Sequence, residues 1–139
     1  MNWNVMRLGR RLSILAGVLL LAAGAPHAQS AGPQPRVLSL LCEGGDCPLL
    51  SGAPQTAGVR SGYVRLKSGQ SVGWHSTGDN EEVLVVLRGH GTALVEGQPE
   101  RSFAAPASVY MPPATRHNMK NTGAQELEYV WIVAPVRRR

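Results

Sequence analysis

From Gly58 onward, short runs rich in Val, Leu and Tyr alternate with turn clusters, and no stretch keeps the period of a helix. The runs are Val59 to Leu66, Ser71 to His75, Glu82 to Arg88, Thr92 to Val95, Arg101 to Phe103, Ser108 to Met111, His117 to Asn121 and Glu126 to Val133. Between them lie clusters such as Ser68-Gly69-Gln70, Gly78-Asp79-Asn80, Glu96-Gly97-Gln98 and Asn121-Thr122-Gly123. Such residues tolerate positive φ or fold a side chain back onto the backbone. Eight short runs in some eighty residues predict a closed or sandwich-like all-β domain. A barrel of that size fills with side chains or holds one small ligand. No internal repeat is visible.

The first thirty residues read differently. Arg7, Arg10 and Arg11 form a positive start, Leu12 to Ala25 is an uncharged apolar run, and small residues follow around Ala28-Gln29-Ser30. This is the layout of a secretory signal peptide cleaved before Ala31, with cleavage after Ala28 as the other option. The run is short for a membrane span, so no stable span is expected after cleavage; an uncleaved anchor is the competing reading. Arg10-Arg11 also suggests twin-arginine export, although Ser13 stands where that signal usually has an apolar residue. A periplasmic or secreted protein is expected.

The organisation that follows is a signal peptide over 1–30, an N-terminal extension over 31–57, a β-barrel over 58–135 and a basic tail over 136–139. Cutting at residue 30 leaves 109 residues, one domain's worth. Fourteen Lys and Arg become eleven against nine acids, so a formal +5 becomes +2. Three of those eleven are Arg137, Arg138 and Arg139, which leaves the globular part near neutral and no basic stripe for nucleic acid. Cys42 and Cys47 are the only cysteines. In an exported chain they read as a local disulfide across Glu43-Gly44-Gly45-Asp46; a redox pair usually has two residues between its cysteines, and zinc would need further ligands. Val37 to Leu41 is read as a short strand or a turn of helix.

Of four histidines, His27 falls in the leader. His75 ends a run that starts after Gly69, Glu82 opens the next, which closes on Gly89, and His117 follows Pro112-Pro113-Ala114-Thr115-Arg116. These residues resemble the two motifs of the cupin family. The first motif is Gly, five residues, His, one residue, His, three or four residues, Glu, six residues, Gly; Gly69, His75, Glu82 and Gly89 fall on it, with Thr77 at the second His. The second is Gly, five residues, Pro, one residue, Gly, two residues, His, three residues, Asn. Pro112, His117 and Asn121 match it, while Pro106 and Ala114 replace the glycines.

The resemblance implies a small single-domain cupin, a double-stranded β-helix or jelly-roll barrel. It also implies one divalent metal per chain, held by His75, Glu82 and His117 with one imidazole lost at Thr77. Two His and one carboxylate suit non-haem Fe(II), the favoured ion, and also Zn; Mn and Ni are further options. Thr77 would bind weakly or hold a water. Period-two geometry turns Thr77 the same way as His75, and Trp74 and Ser76 the other way. Leu84 and Val86 share the face of Glu82, where an ionised carboxylate is costly to bury without a cation. The competing reading of Glu82 is an exposed residue beside Glu81.

His90, in Gly89-His90-Gly91, is read as a rim histidine that can otherwise supply an acid or base. Arg116 is expected in solvent. Tyr129, Trp131 and Val133 share one face of the last run, and Tyr110 and Trp131 are candidates for the pocket wall. Three functions fit: a metal-dependent enzyme, dioxygenase-like or using other metal-assisted chemistry on an oxygen-bearing substrate; a non-catalytic binder of a small ligand with a degenerate site; or a structural, partner-binding domain. No Lys or Tyr stands at a spacing that marks an isomerase base. A homodimer is expected from the resemblance.

Overall fold

A computed structural model describes residues 32–136. The proposed signal peptide and the terminal arginines lie outside the described residues. Among the described residues nine strands follow in order: β1 Asp46–Ser51, β2 Arg60–Leu66, β3 His75–Ser76, β4 Asn80–Arg88, β5 His90–Val95, β6 Arg101–Ala104, β7 Ala107–Met111, β8 Arg116–Asn121 and β9 Leu127–Pro135. Among the described residues there is no helix, and so none long and apolar enough to cross a membrane. The strands form a five-stranded sheet, β1-β2-β9-β4-β7, and a four-stranded sheet, β3-β8-β5-β6, with every pair antiparallel.

The period-two pattern decides which side chains meet. Along β4, Glu82, Leu84 and Val86 are buried, while Val85 and Leu87 are exposed. Along β9, Leu127 and Tyr129 lead the inner face, with Trp131 and Val133 partly exposed toward its end. Val64, Leu66 and Met111 join them from the same sheet, and Ala93 and Met119 come from the other, making one core. Each fully buried Leu, Val or Met side chain contributes roughly 1.5–3 kcal/mol. Gly89 sits at φ 86° between β4 and β5, where a Cβ would run into the Glu126 carbonyl oxygen. Only glycine fits that corner.

Seven of the eight runs fall on strands to within one residue, and the eighth, Ser71 to His75, is mostly loop. Ser71 makes one bridge to Lys120, and β3 begins only at His75. Two features of the extension differ from expectation. Val37 to Leu41 has no regular structure, and Val37 is fully exposed. Instead Asp46–Ser51 pairs with β2 as the sheet's edge strand, so the extension is part of the barrel wall. Pro48 is tolerated there because an edge strand has one unpaired side, and the register shifts between Pro48 and Leu50. Cys42 and Cys47 close a disulfide, with Cα atoms 5.9 Å apart, that ties the segment before the strand to its second residue.

Candidate metal centre and its cavity

His75 and His117 are cross-strand partners of β3 and β8, and their ring centroids stand 4.3 Å apart. Glu82 comes from β4 in the opposing sheet. The structure therefore brings together three residues separated by up to forty-two positions, and their donor atoms all lie within 4.8 Å of one another. His117 is fully buried and the Glu82 side chain is 8% exposed, whereas the His75 side chain is 45% exposed at the open side. Glu82 is thus an interior carboxylate, not a surface residue beside Glu81.

Each ring is held from behind. Nδ1 of His75 lies 3.0 Å from the Gly73 carbonyl, and Nδ1 of His117 lies 3.2 Å from that of Thr115. A carbonyl only accepts, so Nδ1 carries the proton in both neutral rings and Nε2 is left as a lone pair. Both Nε2 atoms face Oε2 of Glu82, at 4.0 Å from His75 and 3.1 Å from His117. The closer contact lacks hydrogen-bond alignment, and the buried Nε2 of His117 has no partner. Burial works against a charged His117, but the Glu82 carboxylate and the Thr115 carbonyl outweigh it and raise its pKa above the ordinary value. The place favours positive charge. Two imidazole nitrogens and one carboxylate oxygen around an orphaned buried nitrogen fit a divalent cation.

Thr77, at the position of the absent imidazole, is buried and does other work. Its hydroxyl donates to the Pro112 carbonyl at 2.9 Å and accepts from the Thr115 N–H at 3.0 Å, while its own N–H donates to the Thr115 carbonyl. It ties the β3–β4 turn to the loop that delivers His117. Ala114, in that loop, holds φ 55°, the left-handed backbone for which the family motif has glycine. Asn121 is fully buried and satisfied: its amide donates to the Leu66 and Gln125 carbonyls, and its oxygen accepts from Gly123 N–H.

The centre opens into a cavity of about 350 Å³ lined by His75, Thr77, Glu82, Leu84, Tyr129 and Trp131, among others. Burial, with the Glu82 and Asp46 carboxylates adding to it, pushes the Tyr129 phenol far above its usual pKa, so it stays neutral. Trp131 lines the wall as expected, but Tyr110 does not: it is exposed on the outer face, with its hydroxyl on Glu81. β7 sets Tyr110 opposite Val83, which belongs to the outward set of β4. His90 is exposed and outside the donor cluster. Arg116 is exposed, paired with Glu96 at 2.7 Å, and placed over the Trp74 ring.

Four residues around the site were not apparent from motif spacing. Asn118 accepts the Gly73 N–H, fixing the carbonyl that holds His75. Thr115 holds His117, and Asp46 and Arg60 line the cavity from β1 and β2. Arg60 shares a pleat face with Gly62, Val64 and Leu66, but β2 is buried on both faces from Ser61 to Val64 and Arg60 is exposed, so no alternation marked it in the sequence.

Comparison with known proteins agrees with this architecture. The cupin domain family model matches residues 62–133. An RmlC-like cupin with a double-stranded β-helix fold from Methanocaldococcus jannaschii is 20% identical, with a TM-score of 0.63 over 75% of this chain and 94% of that one. A predicted oxalate decarboxylase from Thermotoga maritima is 18% identical, with a TM-score of 0.54 over 73% of this chain and 100% of that one. The cupin domain of Schizosaccharomyces pombe Cnp3 is 15% identical, with a TM-score of 0.59 over 66% of this chain; the chain spans 64% of that domain. At these identities the likeness is one of fold. No curated protein matches the chain by sequence. With the family model covering more than half of its residues and the same jelly-roll barrel in its relatives, the chain belongs to the cupin family.

Proposed function

We propose that this chain is an exported, metal-dependent cupin acting on a small oxygen-bearing molecule, with His75, Glu82 and His117 holding one divalent cation, Fe(II) ahead of Zn, Mn or Ni. The observation that carries the reading is the unpartnered, fully buried Nε2 of His117, 3.1 Å from an interior carboxylate oxygen. When bound, such a cation polarises a substrate oxygen or supports dioxygenase-like redox chemistry. The chain's own residues then do the rest. Glu82 balances charge, the Gly73 and Thr115 carbonyls fix which ring nitrogens face the ion, and Tyr129 and Trp131 shape the aromatic part of the wall. A shared fold does not choose among reactions, so the reaction class rests on the donor set.

Metal analysis of the purified full-length chain tests this directly. Near-stoichiometric Fe, Mn, Zn or Ni is expected, with Glu82→Gln lowering affinity at least tenfold while the β-sheet circular dichroism is kept. A folded chain that takes up none of these ions would instead support the second reading, a non-catalytic ligand binder, which the replacement of an imidazole by Thr77 favours.

Export is supported by the arginine-led apolar leader and by the Cys42–Cys47 disulfide, which suits an oxidising compartment. A homodimer is supported by the outer face of β4, β7 and β9, where Val85, Leu87, Tyr110 and Ile132 are 38%, 44%, 55% and 36% exposed. Sedimentation is expected to give a dimer that Val85→Lys with Ile132→Lys converts to monomer.

A further inference from the structure

We propose that the Cys42–Cys47 disulfide is a redox-sensitive clasp on the cavity. With the bond closed the site takes short ligands; its reduction by a dithiol releases the loop Glu43 to Asp46 and joins the metal cavity to a second one beside it. Only the chelating end of the ligand rests on the metal reading.

The second cavity, of about 600 Å³, runs along β2 and is lined by Glu43, Gly45, Leu66, Lys67 and Gln70, among others. It shares Asp46, Val64 and Val72 with the metal cavity, so these three stand between the two spaces. Val64 is fixed in the core, 3% exposed and paired with Tyr129 on β9. Val72 is tied to β8, because its N–H donates to the Met119 carbonyl. The metal side does not give either: Trp131 lies against β2 at Gly62, where a Cβ would come within 2.6 Å of the indole. Asp46 is different. It is the exposed first residue of the edge strand, opposite Val64, and it is the part of the partition that can move.

Little besides the disulfide holds it. β1 pairs with β2 alone, and that ladder shifts register between Pro48 and Leu50. Of Glu43, Gly44 and Gly45, only Gly45 is hydrogen-bonded to the barrel among the described residues, its carbonyl accepting the Arg65 N–H at 2.6 Å. Residues 32–41, ahead of the loop, are exposed and without regular structure. The disulfide joins the buried Cys42 to Cys47 and closes the loop around Asp46. A cross-link of this kind restricts the conformations open to the segment it closes, and cutting it returns them.

The switching step is thiol–disulfide exchange. A thiolate of the donor dithiol attacks one sulfur of the pair, and the mixed disulfide resolves as the donor closes its own disulfide. Two electrons and two protons pass to this chain, leaving Cys42 and Cys47 as thiols. A ligand chelated at the metal centre can then run past Val64 and Val72 and set a polar tip among Glu43, Lys67 and Gln70.

The test compares the full-length chain with Cys42→Ser/Cys47→Ser, which opens the clasp without adding thiols that would take zinc. Both are loaded with zinc and titrated by calorimetry with acetohydroxamate and 8-hydroxyoctanohydroxamate. The short probe is expected to bind both within twofold, and the long one at least tenfold more tightly to the variant. Equal affinity of the long probe for the two chains would overturn the proposal. Amide hydrogen exchange on the unaltered, metal-free chain reads the clasp without zinc and without a substitution. The Arg65 N–H is expected to exchange at least tenfold faster after reduction with a phosphine and to recover on reoxidation, while the Leu84 and Leu127 amides stay unchanged. An Arg65 amide indifferent to reduction rejects the clasp. Failure of both chains to load zinc sinks the metal reading, and Arg65 exchange then decides the clasp alone.

Discussion

At the scale of single residues, Thr77 shows how a position can change its work without leaving the site. A hydroxyl is too short and too weak a donor to replace imidazole, yet here it closes two hydrogen bonds to the loop that carries His117. Replacing it with valine keeps the shape and orphans the Thr115 N–H and the Pro112 carbonyl. The expected cost is about 1–3 kcal/mol, read from urea midpoints. Because the Thr115 carbonyl also orients His117, Thr77→Val should weaken zinc binding roughly tenfold, as loss of a group behind a ligand typically does. An unchanged zinc affinity in a destabilised variant would confine Thr77 to folding. His75, Glu82 and His117 were legible beforehand, because a motif fixes their spacing and a buried carboxylate demands a partner. The use of Thr77, Asn118 and Thr115 was not. Thr77 and Asn118 work through hydrogen bonds to segments far apart in sequence, and Thr115 through its backbone, which composition and period do not encode.

At the scale of elements, β2 against β9 illustrates what alternation reveals and what it hides. Strands such as β4 and β9 stand out in the sequence as apolar runs, Val83 to Leu87 and Tyr129 to Ala134, and the pleat decides which of their residues turn inward. β1 does not, since Asp46-Cys47-Pro48-Leu49-Leu50-Ser51 has no alternation and carries a proline; pairing with β2 makes it a strand. Val37 to Leu41 has the apolar character but finds no partner strand. The close approach of Trp131 to Gly62 is likewise a property of register. Gly62→Ala should force the indole off the sheet and out of the cavity wall. Overpacking of this kind costs typically 1–3 kcal/mol, to be measured by urea unfolding. A shift in tryptophan emission should accompany it, and an alanine variant with wild-type stability would show that the ring has room to move.

At the scale of the whole molecule, the proposed ion joins two sheets. His75 and His117 belong to the four-stranded sheet and Glu82 to the five-stranded one, so a bound cation is a cross-link between the faces of the barrel. An unfolded chain does not hold these three groups together, and a ligand that binds only the native state stabilises it by mass action. At free metal one hundred times the dissociation constant the gain is about 2.7 kcal/mol. For a domain of this size, 1 kcal/mol moves the melting temperature by roughly 4 °C or more. Chain stripped with a chelator should therefore melt about 10 °C or more below the same chain resupplied with metal. Glu82→Gln should remove most of that difference, because it takes away the carboxylate that the five-stranded sheet supplies to the cluster. A variant such as Val85→Lys, on the outer face, should retain it in full. If metal raised the melting temperature of Glu82→Gln as much as that of the unaltered chain, the ion would be bound elsewhere and the two sheets would be held by packing alone.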